Sequence, residues 1–189
     1  NIRVERAIKR ITQQQLAEEV RPLGADCPFF IYNTPCYAEG IGDKLTPISL
    51  DLSGLRLVMI KPNCGVSTKE AYAGIVRHPE VEGQIKNALH EGLSFDIMRP
   101  LLINDFEQTV FPIHPEIAEI KQRLLDAGAV YAAMSGSGST VFGLFAGAPK
   151  NSTSCWGAFE NDSERRTNTQ LRLLHEEFAS MIIFDDTLA

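Results

Sequence analysis

Hydrophobic positions recur with the period of an α-helix in residues 115–126 and 163–179. Because apolar residues return every third or fourth position there, each segment predicts a helix that buries one face. Pro115 suits the first turn of the earlier helix, and Gly128 is placed to end it. The predicted buried faces consist of Ile117, Ile120 and Leu124 in the earlier helix and of Leu171, Leu174 and Phe178 in the later one.

Short apolar runs between turn residues predict β-strands. The clearest run covers residues 55–60, where the pattern is partly alternating and partly continuous. The other predicted strands cover residues 29–32, 36–38, 129–134, 140–145 and 181–184. Only a short loop separates residues 129–134 from 140–145, so we expect these two strands to pair antiparallel.

Two further helices are indicated by their start signals. A serine or threonine followed three positions later by glutamate or glutamine has the spacing of a capping box. Thr12 with Gln15 predicts a helix over residues 12–21, and Ser67 with Glu70 predicts one that runs to about Gly74. Weaker patterns predict helices near residues 80–90 and over 101–110, and a loop over 147–161.

The order of these elements predicts the fold class and two domains. From residue 55 onward the chain reads as strand, helices, two strands, helix and strand. This order predicts an α+β domain over residues 51–189, with helices on one face of a small, mainly antiparallel sheet. Residues 1–50 precede this pattern and are expected to belong to a separate domain.

Composition and charge exclude several classes of protein. The 189 residues carry 18 Lys and Arg against 24 Asp and Glu, a net charge of −6, which disfavours a general nucleic-acid binder. No apolar run approaches the ~20 residues of a membrane helix, and the first residues lack the apolar stretch of a signal peptide. We therefore expect a cytoplasmic protein without a membrane partner.

The cysteines do not predict a metal site. They stand at Cys27, Cys36, Cys64 and Cys155, without a CxxC pair and without histidines at ligand spacing beside them. A zinc site is therefore not expected, and the thiols are interpreted as reduced.

The segment Ser-Gly-Ser-Gly-Ser-Thr at residues 135–140 is the most distinctive local motif. Gly136 and Gly138 permit positive φ angles, which let successive N–H groups of Gly136, Ser137, Gly138 and Ser139 converge on an anion such as a phosphate. A hairpin that only turns the chain has the same residues. Glycine spacing alone does not decide between these two interpretations.

Three other side chains are candidates for chemistry. Asp26 lies among small residues, where a carboxylate can orient or deprotonate a hydroxyl, although an aspartate in a turn is commoner. Thr68 and Tyr72 are four residues apart and share one helical face. Tyr72 can stack on a flat ligand or pack in the core. The polar group Asn104, Asp105 and Glu107 is interpreted as capping or as a solvated face.

Five segments, taken in order, resemble one family of enzymes. They are Gly-Ala-Asp-Cys-Pro-Phe-Phe at 24–30, Ala-Glu-Gly-Ile-Gly-Asp-Lys-Leu at 38–45, Val-Ser-Thr-Lys-Glu-Ala-Tyr at 66–72, Asn-Asp-Phe-Glu at 104–107 and Ser-Gly-Ser-Gly-Ser-Thr-Val-Phe at 135–142. The order is similar to that in the C-terminal part of the 4-diphosphocytidyl-2-C-methyl-D-erythritol kinases, which belong to the GHMP superfamily of small-molecule kinases. The resemblance runs from about Thr12 to Phe145.

The resemblance implies an activity, cofactors and residue roles. It implies ATP-dependent phosphorylation of the 2-hydroxyl of a cytidine diphosphate substrate in the non-mevalonate isoprenoid pathway, with Mg²⁺ sharing the phosphate charge. Asp26 matches the catalytic aspartate, while Thr68 and Tyr72 match an active-site threonine and the aromatic residue that packs on cytosine. The 136–139 loop matches the third glycine-rich motif, beside the phosphates. Residues 1–50 then correspond to a remnant of the N-terminal lobe.

One departure from the family leaves a second interpretation open. The main glycine-rich ATP loop and the catalytic lysine of the family have no counterpart in these 189 residues. A phosphate cradle depends on N–H groups of such a loop. The chain is therefore expected to be either part of an active kinase or an inactive fragment or non-catalytic nucleotide-binding module.

Overall fold

The computed structural model describes residues 12–24, 26–76, 79–146 and 162–188. The predicted loop at 147–161 lies outside these residues. The chain divides into two units: one contains the residues up to Asp51 together with Ala88–Ser94, and the other contains Leu52–Asn87 and the residues from Phe95 onward. Within the described part of the chain, no helix combines the length and apolar character that crossing a membrane requires.

The first unit contains two short helices and a β-hairpin. Its elements are helix α1 at Gln13–Val20, a 3₁₀ turn at Arg21–Leu23, helix α2 at Cys27–Tyr32, strand β1 at Cys36–Glu39 and strand β2 at Lys44–Pro47. The predicted capping box is present, because the Thr12 side chain accepts from the Gln15 N–H and the Gln15 side chain accepts from the Thr12 N–H. Strands β1 and β2 pair antiparallel.

The prediction of a buried strand at residues 29–32 is wrong. These residues form the second half of α2, and Phe30 is 66% exposed. Pro28 stands in the first turn of this helix, where its fixed φ suits the backbone and its missing N–H is not needed. A four-residue apolar run does not distinguish a strand from a short helix, because neither period completes in so few residues.

The second unit contains a four-stranded sheet. Its strands are β3 at Leu55–Ile60, β4 at Tyr131–Met134, β5 at Val141–Ala146 and β6 at Ile182–Thr187, in the spatial order β4-β5-β3-β6. Each neighbouring pair is antiparallel. All four predicted strands of this domain are therefore confirmed, and so is the α+β class with an antiparallel sheet.

Helices of different length accompany this sheet, and the last three residues of the second helix, Ala88–His90, belong to the first unit. They are α3 at Thr68–Ala73, α4 at Pro79–His90, α5 at Phe95–Met98, a 3₁₀ turn at Arg99–Leu101, α6 at Glu107–Val110, α7 at Pro115–Asp126 and α8 at Asp162–Phe178. The predicted faces of the two longest amphipathic patterns are confirmed, since Ile117, Ile120 and Leu124 are buried in α7 and Leu171 and Leu174 in α8. These side chains join Val58, Ile60 and Phe145 of the sheet in one hydrophobic core.

The prediction of a continuous helix over residues 101–110 is wrong. Only Glu107–Val110 forms an α-helix there, and Leu101 ends a 3₁₀ turn. The Asn104 side chain accepts the N–H of Phe106 at 3.0 Å, a local bond that competes with helical pairing. The interruption directs Asn104 toward the loop between β4 and β5.

The edge strand β6 is fixed to its neighbours by charge. Arg56 of β3 donates two hydrogen bonds to Asp185 of β6, at 2.6 and 2.7 Å, and His175 of α8 contacts the same carboxylate. The Asp185 side chain is only 9% exposed. A bidentate, partly buried pair of this kind fixes the position of the strand as well as stabilising it.

Candidate functional site

The loop between β4 and β5 has a defined, closed shape. Gly136 and Gly138 both adopt positive φ, at 56° and 89°. The Ser135 N–H donates to the Thr140 carbonyl at 2.8 Å, and the Gly138 N–H donates to the Ser135 carbonyl at 3.0 Å. Within the described residues, the N–H groups of Gly136, Ser137 and Ser139 have no hydrogen-bond partner. Successive amides in such a turn are suited to an anion.

Ser139 connects this loop to the segment that follows β3. Its side chain is 2% exposed, and its Oγ donates to the Cys64 carbonyl at 2.8 Å. Gly138 beside it has no room for a side chain, since a Cβ there would lie 2.7 Å from Met134 Sδ. The second half of the loop is therefore held by close packing and a buried hydrogen bond.

Asn104 holds the first half of the loop. Its Nδ2 donates to the carbonyls of Met134 at 2.7 Å and of Gly136 at 2.8 Å. The neighbouring Glu107 accepts the Met134 N–H at 2.8 Å and forms an ion pair with Lys121. These two side chains hold the end of β4 through its backbone N–H and carbonyl groups. The start of the glycine loop, residues 135–140, is therefore fixed.

Thr68 stands beside the loop. It is the first residue of α3, which begins where the Ser67 side chain accepts the Glu70 N–H, as the predicted capping spacing requires. The Thr68 hydroxyl lies 3.4 Å from the Ser137 hydroxyl, and either group can donate. The two side chains are thus placed to bind one polar ligand atom together.

Tyr72 follows one turn later and is not part of the core. Its side chain is 63% exposed, and the ring meets Phe106 edge to face with centroids 4.8 Å apart. The Thr109 hydroxyl donates to the Ala71 carbonyl at 3.0 Å, which ties α3 to α6. One edge of the Tyr72 ring is therefore supported, while much of its surface is accessible to a flat ligand.

Asp26 belongs to the other unit. It precedes α2 at the N-cap position, yet its side chain makes no capping hydrogen bond and is exposed. The carboxylate lies across from Gly42, where a Cβ would come 3.6 Å from its Oδ1. A carboxylate outside the helix cap retains its oxygens for another partner.

Two side chains of the second unit, Cys64 and Tyr131, have raised pKa values. Burial and the Glu116 carboxylate raise the pKa of the Cys64 thiol. Burial and the charge of Glu107 raise the pKa of Tyr131 to about 12. The Tyr131 hydroxyl donates to the Leu102 carbonyl at 2.9 Å, so the group remains a neutral donor at ordinary pH.

The structure brings some predicted residues together and reveals two that sequence reasoning missed. Thr68 and the 136–139 loop meet at the Ser137 hydroxyl, and Tyr72 lies on the same helix as Thr68. The contacts of Asn104 and Glu107 with β4 were not predicted, because their partners are about 30 residues away. The signals in the sequence were their position in an apolar stretch and their place in one of the five segments of the family resemblance.

Comparisons with known proteins show which family the chain resembles. The family model of the GHMP kinases C terminal matches residues 83–166. A 4-diphosphocytidyl-2-C-methyl-D-erythritol kinase of Bacteroides thetaiotaomicron is 49% identical over 138 residues, which cover 71% of this chain and 48% of that protein. The kinase of the same name from Azobacteroides pseudotrichonymphae is 46% identical over 132 residues, 70% of this chain and 49% of that protein.

A solved structure shows the same relation in three dimensions. The crystal structure of a 4-(cytidine 5'-diphospho)-2C-methyl-D-erythritol kinase is 30% identical, with a TM-score of 0.55 over 84% of this chain and 53% of that one. The chain spans about half the length of the curated relatives it matches. The resemblance predicted from the sequence is confirmed, since residues 83–166 of the chain match the model of the C-terminal domain of the GHMP kinases.

Proposed function

We propose that the chain forms part of an ATP-dependent kinase that phosphorylates the 2-hydroxyl of 4-diphosphocytidyl-2-C-methyl-D-erythritol. The identity of 46–49% to relatives that bear this name carries the proposal. The glycine loop with Thr68 beside it is consistent with a ligand that has phosphate groups. The chain spans about half of these relatives, so the activity is ascribed to the complete protein.

The 136–139 loop is assigned to the phosphates. The backbone N–H groups of Gly136, Ser137 and Ser139 can donate hydrogen bonds to a phosphate without a positively charged side chain. Such donors suit a chain with a net charge of −6. Because Asn104 and Ser139 fix the two halves of the loop, the donors are oriented before the ligand arrives. Preorganised donors stabilise developing charge better than flexible ones.

Thr68 and Tyr72 are assigned to the cytidine substrate. The exposed ring of Tyr72 offers a stacking surface for a base, and the edge contact with Phe106 limits its rotation. The Thr68 hydroxyl, paired with Ser137, binds a polar group of the same ligand. The four-residue spacing on α3 presents the two side chains to one region.

Asp26 is assigned to the acceptor hydroxyl. In phosphoryl transfer through a loose transition state, positioning of the nucleophile contributes more than full removal of its proton. A carboxylate can accept the hydroxyl proton in a hydrogen bond and take it up as the bond to phosphorus forms. The exposed carboxylate of Asp26 has both oxygens available for this.

The described residues around the loop do not form a Mg²⁺ site. Mg²⁺ prefers carboxylate and phosphate oxygens in octahedral geometry. The side-chain oxygens that the structure places at the loop include the hydroxyls of Thr68, Ser137 and Ser139. The Asn104 amide oxygen accepts the Phe106 N–H, and the Glu107 carboxylate is occupied by Lys121 and the Met134 N–H. We therefore derive no step from a metal ion bound here.

The predicted domain division and location form part of the proposal. Residues 1–50 are assigned to the N-terminal lobe of the kinase, and residues 51–189 to its C-terminal domain. The reduced state expected for the cysteines favours a cytoplasmic enzyme.

The test replaces Tyr72 in a protein of the relatives' length that contains these 189 residues. Stacking on a base contributes about 1–3 kcal/mol, so Tyr72→Ala is expected to raise KM for the cytidine substrate about 5- to 150-fold. KM for ATP stays near its original value. Tyr72→Phe is the matched control, because it retains the ring and is expected to leave both constants nearly unchanged.

Other outcomes lead to different conclusions. Equal effects of Tyr72→Ala on both KM values contradict the assignment of this ring to cytosine. Cytidine diphosphate binding without turnover in the long protein supports the non-catalytic alternative. Absence of both binding and turnover overturns the proposed function.

A further inference from the structure

Three metal-ligating side chains meet outside the glycine loop. The Cys64 Sγ, a ring nitrogen of His114 and a carboxylate oxygen of Glu116 all lie within 4.8 Å of one another. Cys64 follows β3, whereas His114 precedes α7 and Glu116 stands in its first turn. We infer that Cys64, His114 and Glu116 bind a divalent cation of the zinc class, with a fourth position open to water.

The donor set favours zinc over the hard cations. Thiolate sulfur and imidazole nitrogen are ligands of Zn²⁺ and Co²⁺, whereas Mg²⁺ and Ca²⁺ require oxygen ligands. A thiolate and a carboxylate together balance the two positive charges of the ion. The sulfur–metal bond forms as the thiol proton leaves for solvent, so no oxidant or other reactant is needed.

The distances require little movement. Metal–ligand bonds of ~2.0–2.3 Å in a tetrahedral site place donor atoms roughly 3.3–3.8 Å apart. His114 Nδ1 and Glu116 Oε1 are already 3.2 Å apart, and the three donor atoms all lie within 4.8 Å of one another. Changes in the side-chain torsion angles of the three residues are expected to close the remaining difference, and the Glu116 side chain is 47% exposed.

The backbone around the ligands is fixed. The His114 N–H donates to the Val110 carbonyl at 2.8 Å, and its carbonyl accepts the Ile117 N–H at 3.0 Å. Both His114 and Cys64 are half-buried, which protects their bonds to an ion from water while Glu116 faces outward. The spacing along the sequence did not indicate this set, because 50 residues separate Cys64 from His114.

The site lies one contact away from the glycine loop. The Cys64 carbonyl accepts the hydrogen bond of buried Ser139. A cation that holds the Cys64 side chain also restricts this carbonyl, and thus the loop that Ser139 belongs to. Metal binding is therefore expected to stabilise the second unit and to reduce local motion of the loop.

The test titrates the reduced, metal-free full chain with Co²⁺, then displaces it with Zn²⁺. We expect one equivalent to bind and to produce the absorption of a tetrahedral cobalt–thiolate centre. Cys64→Ser and Glu116→Gln are expected to weaken binding more than ~10–100-fold, the effect of losing even an outer partner of a ligand. Cys36→Ser, a half-buried cysteine elsewhere, is the matched control and leaves the spectrum unchanged.

Thermal unfolding provides a second measurement that does not depend on the cobalt absorption spectrum. Saturating Zn²⁺ is expected to raise the midpoint of thermal unfolding of the original chain and of Cys36→Ser, but not of Glu116→Gln. Glu116 is exposed, so the Gln variant is expected to fold. A cobalt spectrum without thiolate character, one that persists in Cys64→Ser, or equal Zn²⁺ stabilisation of Glu116→Gln overturns the proposal.

Discussion

The glycine loop and the turn that carries Asp26 lie in different units and are held in different ways. Asn104, Ser139 and the packing of Met134 against Gly138 fix the loop through contacts between distant parts of the chain. Asp26 is exposed, makes no capping hydrogen bond and stands between a 3₁₀ turn and a helix of six residues. The loop is therefore part of the stability of its unit, whereas the Asp26 side chain contributes little to the stability of the other unit.

The largest expected effect concerns Asp26. In a protein of the relatives' length, Asp26→Asn is expected to lower kcat about 10²- to 10⁴-fold, because the amide does not accept the hydroxyl proton. The free energy of unfolding is expected to change by no more than ~0.5 kcal/mol, since the side chain is exposed. Steady-state kinetics and chemical denaturation measure the two quantities.

Asp43→Asn is the matched control for this prediction. It removes a charge from the turn between β1 and β2 of the same unit and is expected to leave kcat unchanged. An unchanged kcat in Asp26→Asn removes that residue from the mechanism. Equal losses in both variants show that charge in this unit, rather than one carboxylate, affects the rate.

The second effect contrasts a buried phenylalanine of the second unit with an exposed one of the first. Phe145 is fully buried in the core beside β4 and β3, so Phe145→Ala is expected to lower the free energy of unfolding by about 3–5 kcal/mol. Phe30 of the first unit is 66% exposed, and Phe30→Ala is expected to change the free energy of unfolding by ~0.5 kcal/mol or less. Similar losses for both variants contradict the contrast between the units.

The sheet of the second unit could be predicted because its signals are local and repeated. The helix at 115–126 shows a full period of apolar positions, and burial follows that period. The strand at 55–60 was predictable as an apolar run between turn residues, and its buried side chains are Val58 and Ile60. Helix starts at Thr12 and Ser67 were predictable because capping depends on residues only three positions apart. Thr12 and Gln15 form both bonds of a capping box, and the Ser67 side chain accepts the Glu70 N–H.

The parts that could not be predicted depend on distant contacts or on short segments. Residues 29–32 are too few to show a period. Pro28 is typical of a helix start, but the apolar run that follows it led to the prediction of a strand. Asn104 interrupts the expected helix because its amide binds carbonyls 30 and 32 residues away. The candidate site was named residue by residue from a resemblance, whereas the side chains that fix its loop were found only in the structure.

The third effect uses the two glycines of the loop. Both have positive φ, so each Ala substitution costs about 1–2 kcal/mol of backbone strain. At Gly138 the new Cβ also lies 2.7 Å from buried Met134 Sδ, whereas at Gly136 no atom of a described residue lies within 4 Å. In denaturation experiments, Gly138→Ala is therefore expected to lower the free energy of unfolding by about 1–3 kcal/mol more than Gly136→Ala does. Equal losses of stability in the two variants show that the Met134 side chain moves away from the new Cβ and that the loop is less tightly packed.

The smallest expected effect is a change of the free energy of unfolding with pH, and it arises in the second unit, which contains the glycine loop. Burial raises the pKa of Tyr131 from about 10 to about 12, and its hydroxyl donates to the Leu102 carbonyl. Below pH 10 both the folded and the unfolded chain keep this proton. Between pH 10 and 12 the unfolded chain releases it while the folded chain retains it, so the free energy of unfolding falls as pH rises. For one proton the slope is at most about 1.4 kcal/mol per pH unit, and partial exposure of the ring makes it smaller.

Tyr131→Phe separates this contribution from that of other groups that titrate at high pH. The variant keeps the ring contacts with Phe95 and Phe142 and loses the hydrogen bond to Leu102, so at pH 8 it is expected to be less stable by about 1 kcal/mol. As pH rises toward 12, the original chain loses the advantage of its protonated tyrosine, and the difference between the two chains shrinks. Urea denaturation of both chains between pH 8 and 11 measures this difference. A difference that stays constant over that range shows that Tyr131 titrates alike in the folded and unfolded states, and that the environment around β4 is open to water rather than closed by the residues that hold the loop.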